Sequence, residues 1–198
     1  MADPAYIDDD GALAEGEAWV ALTTTTLSTT TASVTFTSTD DGQVGDWSQY
    51  LDLIVIFYKR SAASSGGYTY MTLNGDSSAK YSNQYLQGSG AGMSAGVQTA
   101  QSGAWISREI YSGAETGAFD AGMIHFFDIN SGKYKEILSH SFANTSNTNS
   151  QGDWVANYAN TYFSYAPITT MTIPPYGGTG WAAGSMFSLV GVLPRMAL

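Results

Sequence analysis

The chain contains no cysteine, which excludes a disulfide framework, a thiolate nucleophile and any zinc site built on thiolates. Basic residues are also scarce. Seven Lys and Arg stand against 17 Asp and Glu, for a formal net charge of −10. The seven (Lys59, Arg60, Lys80, Arg108, Lys133, Lys135 and Arg195) are scattered and form no patch. Such a surface repels phosphate backbones, so no nucleic-acid partner is expected. Long hydrophobic runs are missing: the longest, Leu51 to Tyr58, is too short to cross a bilayer as a helix. No basic segment precedes an apolar stretch near Met1, so no Sec-type signal peptide is expected. The chain therefore reads as soluble, without a membrane partner.

What is present is hydroxyl, amide and aromatic surface. Charged residues make up 12% of 198 residues, and there are 22 Gly and 13 Tyr. That composition suits a β-rich molecule. A globule of this length buries about 70% of its unfolded surface and needs no staple to hold a core. Residues 1–17 are acidic and small, and they read as an extended arm ordered only against a neighbour. Residues 18–198 read as one domain.

From Ala18 the pattern is β. Val34 and Phe36 alternate with Ser33, Thr35 and Thr37. Thr39 to Trp47 is turn-rich. Gln49 to Arg60 is apolar on both faces in its middle, which predicts a central strand covered on both sides. Asn74-Gly75 predicts a type I′ turn between a strand ending at Leu73 and one returning near Tyr81. Gly88 to Ala104 is rich in Gly and Ser and is expected to form a long surface loop or weak strand. A short hairpin is expected at Asn130-Ser131-Gly132, and loops at Asn144 to Asp153 and Pro174 to Trp181. About ten strands, no capped amphipathic helix and frequent turns predict an all-β fold, an antiparallel β-sandwich of jelly-roll type.

Candidate sites are few. Asp8, Asp9, Asp10 and Gly11 with Glu17 resemble part of a calcium loop, but Tyr6 occupies the first ligand position and no helices flank it, so a solvated arm is the simpler reading. His125 and His140 fall on adjacent predicted strands. A turn centred on Ser131 would set His125 opposite Glu136 or Ile137, with His140 diagonal to it and Glu136 or Asp128 nearby. Two histidines without a fixed third ligand make a weak metal signal. Glu109, Glu115, Asp120, Asp128 and Glu136 offer carboxylates for glycoside chemistry, but no spacing selects a pair. No Gly-x-Ser-x-Gly elbow is present, and Gly88 to Gly92 lacks the ending of a phosphate loop. Trp105, Trp154 and Trp181, with Tyr158, Tyr162 and Tyr165, suit a sugar-stacking platform or, more simply, core and interface packing. Neither a catalytic residue nor a cofactor is assigned.

The order of segments resembles a family of small tailed-bacteriophage virion proteins. A Thr/Ser-rich opening (Thr23 to Ser38) precedes a strand with Leu51, Leu53, Val55 and Arg60. Then comes a hairpin with Asn74, Gly75, Asp76, Tyr81 and Leu86, and a closing segment with Ile168, Ile173, Gly184, Ser185, Phe187, Leu189 and Gly191. The resemblance spans about residues 20 to 192. Leu73 and Val190 stand where the pattern has Phe and Tyr, and the first 18 or so residues have no counterpart. In that family the Thr/Ser-rich opening is a hairpin.

The resemblance implies a structural, non-enzymatic virion protein made in the host cytoplasm and carried on the particle. The expected role is capsid decoration (cement), with a tail or fibre component recognising host surface glycans as the alternative. The expected partners are identical subunits, in a homotrimer, and the major capsid or tail proteins. Tyr6, Asp8, Asp9, Asp10 and Trp19 are the expected partner-binding residues, and Trp105, Trp154 and Trp181 the glycan-stacking ones.

Overall fold

The computed structural model describes residues 18–89, 92–115, 117–143 and 153–193. Among these residues the regular structure is twelve strands and two short 3₁₀ turns, at Trp47–Gln49 and Tyr176–Gly178. The strands are β1 (Trp19–Thr26), β2 (Val34–Thr37), β3 (Asp52–Lys59), β4 (Tyr68–Leu73), β5 (Tyr81–Ser89), β6 (Gly92–Gln101), β7 (Ala104–Arg108), β8 (Asp120–Phe127), β9 (Lys135–Ala143), β10 (Trp154–Tyr162), β11 (Thr170–Ile173) and β12 (Met186–Val192).

They form two antiparallel sheets, the expected β-sandwich. The larger has eight strands in the order β1-β12-β3-β8-β9-β10-β5-β6, and the smaller has four in the order β2-β11-β4-β7. The core lies between them. Leu53, Val55 and Phe57 of β3, Ile124 and Phe126 of β8, and Phe187 and Leu189 of β12 meet Phe36, Met71, Ile106, Met171 and Ile173 of the small sheet. The period-2 alternation that predicted these strands is the burial pattern itself: β9 and β10 bury every second residue.

Several expectations are corrected. The Asn74-Gly75 turn forms as predicted, with both residues at positive φ (54° and 68°) and the Asp76 N–H donating to Leu73 O at 2.9 Å. It does not close a hairpin, however. β4 belongs to the small sheet and β5 to the large one, so the turn is a corner between layers. The Asn74 side chain explains the difference. Its Nδ2 donates to Pro167 O (2.7 Å) and its Oδ1 accepts from the Thr169 and Thr170 N–H groups, which tie the end of β4 to β11. The opening Thr-rich strands likewise do not form a hairpin together. β1 pairs with β12 and β2 with β11, in different sheets.

Gly92–Gln101 is a paired strand where a loop was expected, because backbone pairing with β5 makes up for weak propensity. The β8–β9 connection is longer than a turn on Ser131, because Ile129 dips fully into the core and bonds to Leu51 and Ile168. His125 accordingly faces Leu138, and His140 faces Met123. Finally, β3 is internal in its sheet and covered on both sides only at Ile54, which is 1% exposed; farther along that second side Ile56 and Tyr58 are 39% and 44% exposed.

Candidate interaction face

The side of β3 that carries Ile56 and Tyr58 continues across the eight-stranded sheet. Cross-strand partners share a face, so the registers place outward residues in rows. One row runs Met186, Tyr58, Ala121, Phe142, Val155, Gly88, Met93. The next runs Ser188, Ile56, Met123, His140, Asn157, Leu86, Ala95, and the third Val190, Ile54, His125, Leu138, Ala159, Gln84, Val97. None of these residues is Asp, Glu, Lys or Arg. Phe142 (59%), Val155 (64%) and Met93 (78%) are exposed despite their size. Eight strands make such a face about 35 Å wide. Carboxylates enter only in the fourth row, and both are engaged. Asp52 accepts from the Asp128 N–H (2.8 Å) and pairs with His125 Nε2 (2.8 Å), and Glu136 accepts from Thr161 Oγ1 (2.9 Å).

The edges of this sheet are equally free of charge among the described residues. β1 and β6 contain no charged residue and no proline. Edge strands of that kind normally carry charge, proline or cover to prevent further pairing. A largely uncharged exposed face between two edge strands without charge or proline is the form of a surface that adheres to protein.

A second exposed feature lies beyond the β8–β9 and β10 ends. Tyr134 stacks on Tyr165 (4.8 Å between ring centres) with their hydroxyls 3.2 Å apart, and Phe163 meets Tyr134 edge-on at 5.2 Å. A third is a cleft of about 450 Å³ whose lining includes Ser64, Gly67, Arg108, Glu109, Tyr111 and Trp154. The Arg108 guanidinium sits over the rings of Tyr68 (5.6 Å) and Trp154 (5.7 Å).

The expected sites are distributed differently from the sequence reading. Trp181 is fully buried in the main core and its Nε1 donates to Ile173 O at 2.8 Å, so it offers no ring to a sugar. Trp105 and Trp154 come together in a second cluster with Tyr158. The ring of Trp105 is stacked on Tyr68 at 4.4 Å, and Trp154 is 6% exposed. Tyr158 and Tyr162 are buried as well, whereas Tyr165 is exposed. The stacked exposed rings are therefore Tyr134, Phe163 and Tyr165, not the three tryptophans.

Trp19 opens β1, half-exposed opposite Val192. Tyr6, Asp8, Asp9, Asp10, Gly11 and Glu17 lie outside the described residues, as does 144–152 of the expected Asn144–Asp153 loop. His125 is stacked on Phe127 and His140 bonds Asn157. Among the described residues no group of three His, Asp or Glu is arranged to hold a metal, and no helix is long and apolar enough to cross a membrane.

The apolar face was hidden from sequence reading because an apolar-on-both-sides strand looks the same whether its second face is covered or bare. The sheet registers supplied the missing signal. Neither a protein-family model nor a curated protein matches the chain.

Proposed function

We propose that this protein is a structural component of a tailed-bacteriophage virion, a capsid decoration (cement) protein that works by adhesion and performs no chemistry on a substrate. The resemblance in segment order motivates the reading, and the charge-free outer face of the eight-stranded sheet supports it. That face would lie against the major capsid protein, where burial of apolar area favours association and offsets the cost of immobilising the two partners. The uncharged edge strands β1 and β6 suit contact with identical subunits in a closed ring such as a trimer. The acidic arm adds a further contact by tethering.

The test is sedimentation with undecorated capsids. The wild-type chain should bind stoichiometrically and raise the temperature at which capsids open. Phe142→Glu and Val155→Glu, both on exposed positions, should fold normally and lose binding. Undiminished binding by both variants would remove the face from the proposal. The exposed Tyr134–Phe163–Tyr165 cluster favours one alternative, a tail or fibre module that recognises host glycans. It requires glycan-array binding that disappears with Tyr165→Ala while capsid binding is absent.

A further inference from the structure

The interior holds a charged cluster that adhesion does not use. Lys59 ends β3 and Asp120 begins β8, and they are direct cross-strand partners. Both side chains are completely buried, with Nζ to Oδ2 at 2.7 Å. Lys59 Nζ also donates to Thr69 Oγ1 (2.9 Å), and the Thr69 hydroxyl donates to Glu109 Oε1 (3.1 Å). Glu109 is itself 2% exposed. The rings of Trp181 and Phe57 flank the ammonium at 4.8 and 5.2 Å.

This arrangement is costly as an ion pair. One carboxylate touches the ammonium between two aromatic rings and a second lies one hydroxyl away, and a buried pair recovers its desolvation only when every remaining polar atom is bonded. Here Asp120 Oδ1, Glu109 Oε2 and Ser107 Oγ lack a hydrogen-bond partner among the described residues. Burial pushes the Asp120 carboxyl up to about 7 against the pull of Lys59, and Glu109 adds to the rise; Ser107 is close enough to oppose it slightly, without hydrogen-bond geometry. A carboxyl that exchanges its proton near neutral pH, held against an amine nitrogen at a buried site, is the reactant pair of amide formation.

We propose that Lys59 Nζ condenses with the Asp120 carboxyl to form an intramolecular amide, so that the mature protein carries a covalent staple between β3 and β8. The ammonium first passes a proton through the Thr69 hydroxyl to Glu109, and its freed lone pair attacks Asp120 Cγ. The N–C bond forms as one carboxyl oxygen takes up two protons, and that C–O bond breaks to release one water. The sum is ammonium plus carboxylate giving amide plus water, so no oxidant or external reagent is consumed. Holding the two groups in contact replaces a bimolecular encounter, the largest entropic part of the barrier, and burial favours the neutral reactants and product over the ion pair. Glu109, which reaches the reacting nitrogen through Thr69, is a positioning and proton-relay residue. The inference is independent of the virion reading.

Intact mass spectrometry of the full chain tests it. The expected mass is one water below that of the sequence, and a digest of the denatured protein should yield a branched peptide joining the Lys59 and Asp120 segments. Lys59→Arg and Asp120→Ala should keep the full mass. Asp120→Asn should reach the same product by losing ammonia. Glu109→Gln should refold with an unchanged circular-dichroism spectrum and condense about a hundredfold more slowly or worse, as expected when a proton-transfer group is removed. A wild-type mass equal to that of the sequence, with Lys59 recovered in an unbranched peptide, overturns the proposal. So does water loss that persists in Asp120→Ala.

Discussion

Two lysine–aspartate pairs in this molecule have nearly the same geometry and opposite surroundings. Lys59–Asp120 spans 2.7 Å with both side chains fully buried, and Lys80–Asp76 spans 2.9 Å with the lysine half-exposed. At the surface, Asp76 is held well below the usual carboxylate range, first by the Ser78 hydroxyl, then by Lys80 and the Ser78 N–H. In the interior, burial drives Asp120 the other way although its lysine is closer. Solvent access, and not the distance between the partners, sets the sign.

The harshest way to break the comparison is Lys59→Met. It leaves Asp120 and Glu109 without a cation and removes the staple across a sequence separation of 61 residues. An orphaned buried charge costs about 3–5 kcal/mol, and a closure of that length about 4 kcal/mol more. Urea titration should find the variant close to unfolded. Lys59→Met with Asp120→Leu should recover much of the first loss, because a packed apolar pair replaces a buried ion pair at little cost.

Acidity separates the pairs next. Wherever Asp120 keeps its carboxyl, as in Glu109→Gln, burial still raises it, though less than with Glu109 beside it, so the folded state holds a proton that the unfolded state releases from about pH 4 upward. Stability should therefore fall as pH rises above that point. In the stapled wild-type chain this slope should vanish. Asp76 contributes in the opposite sense: its stabilisation is present above about pH 4 and is lost on further acidification. Denaturation midpoints of the two proteins from pH 3 to 8 check both signs.

The smallest effects belong to the exposed pair. Lys80→Ala should shift the melting temperature less than Asn74→Ala, only six positions away. Asn74 supplies a positive-φ turn residue and four side-chain ties to Pro167–Thr170, and its loss should cost about 1–3 kcal/mol. Calorimetry of the two variants sharpens the contrast between a geometric anchor and a solvated ion pair.

Sequence reasoning reached the elements more readily than their partners. The alternation in Lys135–Ala143 and Trp154–Tyr162 announces half-buried strands because burial has the same period. The Asn74-Gly75 turn was legible because few residues accept positive φ, but no local rule states which sheet a strand joins afterwards. Gly92–Gln101 was obscured by small residues whose pairing is held by the backbone. Lys59 and Asp120 were unreadable as a pair, since only the β3–β8 register brings them together. The tryptophans misled because ring type alone does not distinguish a core anchor such as Trp181 from a platform.

The β1–β12 ladder carries a mechanical consequence. Trp19 lies opposite Val192, so the described chain enters and leaves the sandwich at one corner. Tension applied at those two points would peel the ladder one hydrogen-bonded step after another, the weakest way to load paired strands. A load spread over the broad face would meet all eight strands at once. A molecule gripped by its flat side is thus far harder to tear off than one held by its ends.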